Sequence, residues 1–176
     1  TGEAGTWSAA CVCIIPRPDL IVQAVTAAPS LVTPGDSVEV GWTVANIGFA
    51  ASARNWIARI YARSASGQNP VLLRQVAFVD AGTLAIGGSI PQSKKVLVPV
   101  QFNAGDQCVF RVEIIPDASI VEVAGGTANN SAVQTTSWNV AKLLYLVPNI
   151  LQLSEGSSSS VSVRRTGSTD AALTVN

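Results

Sequence analysis

From Val38 to Ala45 the chain alternates without a break. Val38, Val40, Trp42 and Val44 are apolar and bulky, and Glu39, Gly41, Thr43 and Ala45 stand between them. Successive side chains of a strand point to opposite faces, so this run makes a strand with one buried and one open face. The same period returns from Trp56 to Arg63, where Trp56, Ala58, Ile60 and Ala62 share one face and Arg59, Tyr61 and Arg63 the other. No stretch carries the 3.6-residue stripe of an amphipathic helix. Further strands are expected from Leu20, over Val71–Val79, Val96–Phe102 and Cys108–Ile115, and from about Ala132 to Val140. Turn signals separate them: Pro34-Gly35-Asp36, Asn46-Ile47-Gly48, the polar run 64–70, Gly82–Gly88 and Asn103–Asp106. Asn46 and Gly48 are expected to end their strand because both residue types tolerate a left-handed backbone. Seven such runs predict an all-β chain folded as an antiparallel sandwich, with Trp42 and Trp56 in its core.

Charge limits the partners. Eleven basic and eleven acidic residues cancel in 176, so no net field draws the chain to nucleic acid or to an anionic membrane. Charged residues make up only 12 %, against about 25 % in a typical soluble domain. Part of the exterior is therefore either bland or covered by a partner. The longest apolar runs, Ala9–Ile15 and Leu143–Val147, fall far short of the roughly 18 residues of a spanning helix, so no membrane span is expected. The chain opens on Thr1 with no basic leader, which fits a processed product or a segment of something longer.

The chain has no histidine. That removes the usual general base, with the Ser-His and Cys-His arrangements, and points away from an enzyme. A Ser-Lys site would need Lys94, Lys95 or Lys142 buried beside a serine, and Lys94-Lys95 reads as solvated charge on an edge strand. Three cysteines, Cys11, Cys13 and Cys108, leave at least one thiol unpaired within the chain. Cys11 or Cys13 could bridge to Cys108 in an oxidising compartment, though buried free thiols are the plainer expectation. Arg54, Arg59 and Arg63, with Tyr61, could form a basic stripe for phosphate or sugars, or simply a solubilising face. Asn129-Asn130-Ser131 fits a glycosylation sequon, a pattern common by chance.

Residues 18–140 resemble the CARDB family, the cell-adhesion-related domain found in bacteria. The resemblance rests on Pro18-Asp19-Leu20-Ile21-Val22, Pro34-Gly35-Asp36-Ser37-Val38, Val44-Ala45-Asn46-Ile47-Gly48, Ile60-Tyr61, and a closing run of Asp117, Glu122 and Asn129-Asn130. It implies an Ig-like sandwich of about seven strands, used in secreted and cell-envelope proteins. Three departures stand out: Ile115 takes the place of an acid usual in the family, Ala118 that of an Asn, and the spacing from Glu122 to Asn129 is long. Glu155-Gly156, Val161-Ser162-Val163-Arg164-Arg165-Thr166-Gly167 and Leu173-Thr174-Val175 resemble the opening of a Calx-beta domain. The chain is thus expected to divide into an N-terminal arm or the end of a preceding domain over 1–17, a sandwich over 18–140, and a linker strand with a partial Calx-beta-like segment over 141–176.

Calcium is the one cofactor with a local motif. Asp117, Glu122 and Asn130 could supply the oxygen ligands a hard cation prefers. The plainer reading is that Asp117 caps a turn while the asparagines bond the loop backbone. Two classes of function follow. The first is a non-catalytic extracellular structural or adhesive module, a subunit or fragment of a bacterial surface fibre, layer or adhesin. It would assemble with copies of itself or with neighbouring domains through β-strand contacts, the extended terminal arms adding strands to a neighbour's sheet. Thr6-Trp7-Ser8 and Ser137-Trp138-Asn139, each before an apolar run, fit exits from tandem domains. The second is a carbohydrate- or calcium-binding accessory module of a larger secreted protein.

Overall fold

Strands form where the alternation is strongest. The computed structural model describes residues 15–28, 30–64, 70–98, 102, 105–141, 144–147 and 162–165. Two sheets are built from β1 (Leu20–Ala28), β2 (Leu31–Val32), β3 (Ser37–Asn46), β4 (Ser52–Ser64), β5 (Val71–Leu84), β6 (Ser89–Leu97), β7 (Gln107–Pro116), β8 (Ser131–Val133) and β9 (Trp138–Val140). β10 (Leu144–Val147) pairs antiparallel with β11 (Ser162–Arg165) in a sheet of their own. Among the described residues a 3-10 turn over Gly126–Asn129 is the one helical element. Residues 1–14 of the N-terminal arm, with Cys11 and Cys13, lie outside the described residues.

The smaller sheet runs β1-β3-β6, and the larger runs β2-β9-β7-β4-β5 with β8 beside β7. The N-terminal edge strand changes sheet between Ala28 and Leu31, so β1 pairs antiparallel with β3 while β2 runs parallel to β9. That parallel pair departs from the expected wholly antiparallel sandwich. The expected strand from Ala132 to Val140 is also interrupted. Ser131 stands opposite Glu113 but Trp138 opposite Cys108, so the register on β7 slips between β8 and β9. Counting each interrupted strand once gives seven, in an Ig-like arrangement of two facing sheets. β1 itself bulges between Gln23 and Thr26, where Ala24 takes a φ of 53°. A bulge in an edge strand twists its open side away from stray pairing.

The apolar rows meet between the sheets. Val40, Trp42 and Val44 of β3 face Trp56, Ala58 and Ile60 of β4 and Phe110, Val112 and Ile114 of β7, all buried. Each large side chain so buried contributes roughly 1.5–3 kcal/mol. Trp138 belongs to this core, stacked on Phe110 at 5.1 Å between ring centroids and edge-on to Phe102 at 6.0 Å. It packs in the core from β9, the last strand of the sandwich.

β5 and β6 depart most from expectation. β5 continues to Leu84, the turn shrinks to 85–88, and β6 occupies Ser89–Leu97 in place of Val96–Phe102. The inward positions of β6 are Ile90, Gln92, Lys94 and Val96, half of them polar, which hides the alternation. They are usable because β6 is an edge strand. The Gln92 amide oxygen meets Trp56 Nε1 at 3.5 Å, and the Lys94 ammonium lies 5.5 Å over the Phe78 ring. Pro91 also needs an edge, since it lacks the N–H of a ladder.

Cys108 is a free thiol with no exposed surface. Burial, with a smaller contribution from the Asp106 charge, pushes its pKa from 9.0 up to about 12. The folded state therefore holds a proton that the unfolded chain releases. The corresponding stability is intact below pH 9 and is lost as pH rises toward about 12. Urea midpoints measured across that range are expected to fall more steeply for the wild type than for Cys108→Ala. Equal slopes would contradict the assignment.

Candidate functional site

Polar side chains gather at the end of the sandwich where the chain enters β1. Asn46, the last residue of β3, is fully buried. Its Nδ2 donates to the carbonyls of Ala50 at 2.8 Å and Leu84 at 3.1 Å. Its Oδ1 accepts from the amides of Asp19 at 3.2 Å and Gly48 at 3.1 Å. Two donors and two acceptors complete the capacity of this amide, so its burial carries no unpaired group.

Around Asn46 the entering segment is held on two sides. Phe49 N donates to Arg17 O and Ile47 N to Asp19 O, both at 2.8 Å, and Val123 N donates to Pro18 O at 3.0 Å. A Cβ on Gly48 would collide with the backbone of Pro18 and Asp19. Close approach, and not a left-handed turn, requires glycine there. Positive φ among the described residues belongs to Ala24, Gly35, Gly87, Gly105 and Gly125, which corrects the expectation for Asn46 and Gly48.

Glu122 closes the arrangement. Only 8 % exposed, its Oε1 accepts from Leu20 N and its Oε2 from Asn130 Nδ2, each at 2.7 Å. Asn129 Nδ2 donates to Asp19 Oδ1 at 3.0 Å. The asparagine pair thus bonds two carboxylates, where the sequence pointed to loop backbone. Gly126 allows this, since the place a Cβ would take lies 3.0 Å from Asp19 Oδ1 and 3.2 Å from Glu122 Cβ.

Of the calcium candidates, the fold brings Glu122 and Asn130 into contact. Asp117 Oδ1 is engaged in its own turn, accepting from Ser119 Oγ at 2.6 Å and Ser119 N at 2.9 Å. The hydroxyl first, then the amide, holds the Asp117 carboxyl below the usual carboxylate range. Of the disulfide candidates, Cys108 is in the core, while Cys11 and Cys13 lie outside the described residues.

The basic stripe on the larger sheet is built differently from its sequence pattern. Arg54 leaves it, pairing with Asp80 at 3.2 Å and donating to Thr83 O. Arg59 donates to Gln75 at 2.9 Å. Tyr61 OH donates to Glu113 at 3.1 Å, and Arg111 lies 5.8 Å over the Tyr61 ring and 3.6 Å from Glu113. These guanidinium groups are largely committed to neighbours on the same face. The sequence reading had Asp19 and Asn46 only as motif and turn residues, not as members of a buried cluster, and did not single out Arg111. Polar residues at the boundary of an apolar strand were the signal for the first two, and cross-strand register alone places the third.

No protein-family model and no curated protein matches this sequence. Among solved structures the chain is similar to the CARDB domain of a Pyrococcus furiosus protein, determined in complex with di-metal ions. Identity is 18 %, the TM-score is 0.49, and the match covers 73 % of this chain and 98 % of that one. A solution structure of the same domain gives 18 % identity and a TM-score of 0.48, covering 72 % and 98 %. The sporulation control protein Spo0M of Bacillus subtilis gives 11 % and 0.45, covering 70 % and 49 %.

Glu122→Ala strands the Leu20 amide and the Asn130 side chain, and is expected to cost about 3 kcal/mol in urea unfolding. Asp117→Ala, in an exposed turn, should cost less than about 1 kcal/mol. Comparable losses would show that the bridge carries no special weight. Gly48→Ala forces backbone apart and should destabilise by about 3 kcal/mol or more.

Proposed function

We propose that the chain is a non-catalytic structural or adhesive module of a bacterial surface protein. It packs against neighbouring domains or further copies of itself through its entry end and sheet edges. One observation carries this reading. Ile47 and Phe49 after β3, Ile86 in the β5–β6 turn, and Ile15 and Val121 beside the entering segment are all more than half exposed, Phe49 by 73 %. Ile15 and Val121 line a groove of about 410 Å³ with Pro16, Pro18 and Ile120. Apolar surface gathered in adjoining loops marks an interaction site more often than chance scatter does. The buried bonds of Asn46 and Glu122 hold these loops still, so a neighbour docked on them would take one orientation.

The extracellular setting rests on the order of CARDB-like motifs over 18–140. The segment over 155–175 is read from its sequence alone as the opening of a second, Calx-beta-like unit. A carbohydrate-binding module would present several flat aromatic faces to solvent, whereas Trp42, Trp56 and Trp138 are core residues and, among the described residues, Phe49 alone of the large aromatic rings is more than half exposed.

Sedimentation of the 176-residue chain from micromolar to millimolar concentration is expected to show reversible association. Phe49→Ser with Ile47→Ser should weaken it at least tenfold while leaving the unfolding midpoint within experimental scatter. A chain monomeric throughout would refute self-assembly through this end.

A further inference from the structure

We propose that Asp19, Glu122, Asn129 and Asn130 bind one divalent cation of the oxygen-seeking class, calcium foremost, at the end of the sandwich where β1 begins. Two independent observations meet there. The first is uncompensated negative charge. Asp19 Oδ1 and Glu122 Cβ both lie within 3.2 Å of one point beside Gly126. Neither carboxylate has a cationic partner among the described residues; Asp19 takes one bond from Asn129, and Glu122 takes its two from Leu20 N and Asn130.

The second is a pair of orphaned acceptors. Asn130 is only 4 % exposed. Asn129 Oδ1 and Asn130 Oδ1 are both buried without a hydrogen-bond partner, although each amide nitrogen is already donating to a carboxylate. The two ends of one amide are about 2.3 Å apart. Each orphan oxygen therefore sits within one ion's reach of the carboxylate its own nitrogen touches. Unpaired acceptors at such a position are costly, and a hard cation satisfies carbonyl and carboxylate oxygens together. The carboxylate oxygens already accepting one bond keep a second lone pair for it.

Access is provided on one side. Asn130, of the four ligands, lines a cleft of about 250 Å³ along β7 with Thr127, Ser131 and the ion-paired Arg111 and Glu113, open to solvent. Two carboxylates and two amides form a modest ligand set, so the affinity belongs to the weak range of extracellular modules, about 10⁻⁴–10⁻³ M. This set differs from the Asp117 turn, whose carboxylate is already occupied by Ser119. The inference does not depend on the structural role proposed above.

Calcium titration of the full chain, followed by two-dimensional NMR, tests it. Saturable shifts are expected in the side-chain amides of Asn129 and Asn130 and in the backbone amide of Gly126. Asp19→Asn should weaken binding at least tenfold, Asn129→Ala severalfold, and Asp117→Ala not at all. Asn129→Ala leaves both carboxylates in place and so serves if Asp19→Asn fails to fold. Absence of saturable shifts up to about 10 mM, ten times the weak end of that range, overturns the proposal. So does affinity unchanged by Asn129→Ala and Asp19→Asn, or lost in Asp117→Ala.

Discussion

A single carboxylate joins two parts of the chain that no ladder connects. Glu122 lies in the irregular segment after β7, yet it accepts the amide of Leu20, 102 residues away, where β1 begins. Asn130 and Asn129 tie the same segment back to Glu122 and Asp19. Sheets supply their own backbone partners, but an entering strand and a long loop do not. Here side chains take most of that role, beside one backbone bond from Val123 N to Pro18 O. Because the bonds are buried, each is expensive to leave unmade, and their geometry is strongly specified.

The two halves of the energetics are therefore separated in space. Between the sheets, apolar rows of β3, β4 and β7 bury surface with little directional demand. At the entry end, Asn46, Gly48, Glu122 and Gly126 contribute directionality and close fit. The first explains why the chain collapses into a sandwich. The second explains why its loops converge on one arrangement, with Asp19 held between Gly48 and Gly126. The opposite edge, along β5 and β6, is closed more loosely, by Phe78 against Trp42 and by Lys94 over Phe78.

This division bears on function. An apolar surface is useful for docking only if its loops keep their shape, and the loops bearing Ile47, Phe49 and Ile86 are bonded directly to Asn46 or to the entering segment. The acidic cluster that rigidifies this end is also, among the described residues, the place where buried oxygen acceptors lack partners beside carboxylates. Structural rigidity and affinity for a cation would then be one property, since an ion at that cluster would tighten the bonds that orient the docking loops.

How much of this was legible in the residues follows from what each interaction needs. Alternation in β3 and β4 named their core rows correctly, because a period of two is a local consequence of strand geometry and burial follows from it. Pro34-Gly35-Asp36 likewise marked its turn, with Gly35 at a φ of 95°. β6 was misplaced because an edge strand tolerates Gln92, Lys94 and Pro91, whose acceptability depends on a neighbour's absence. The core role of Trp138 was not legible because its stacking partner, Phe110, comes from another strand. Sequence alone determined the two-layer β architecture and the residues available to its core. Only the tertiary structure decided that Asp19, Asn46, Glu122 and Asn130 share one buried cluster, since those bonds join residues brought together by chain closure and by no local rule.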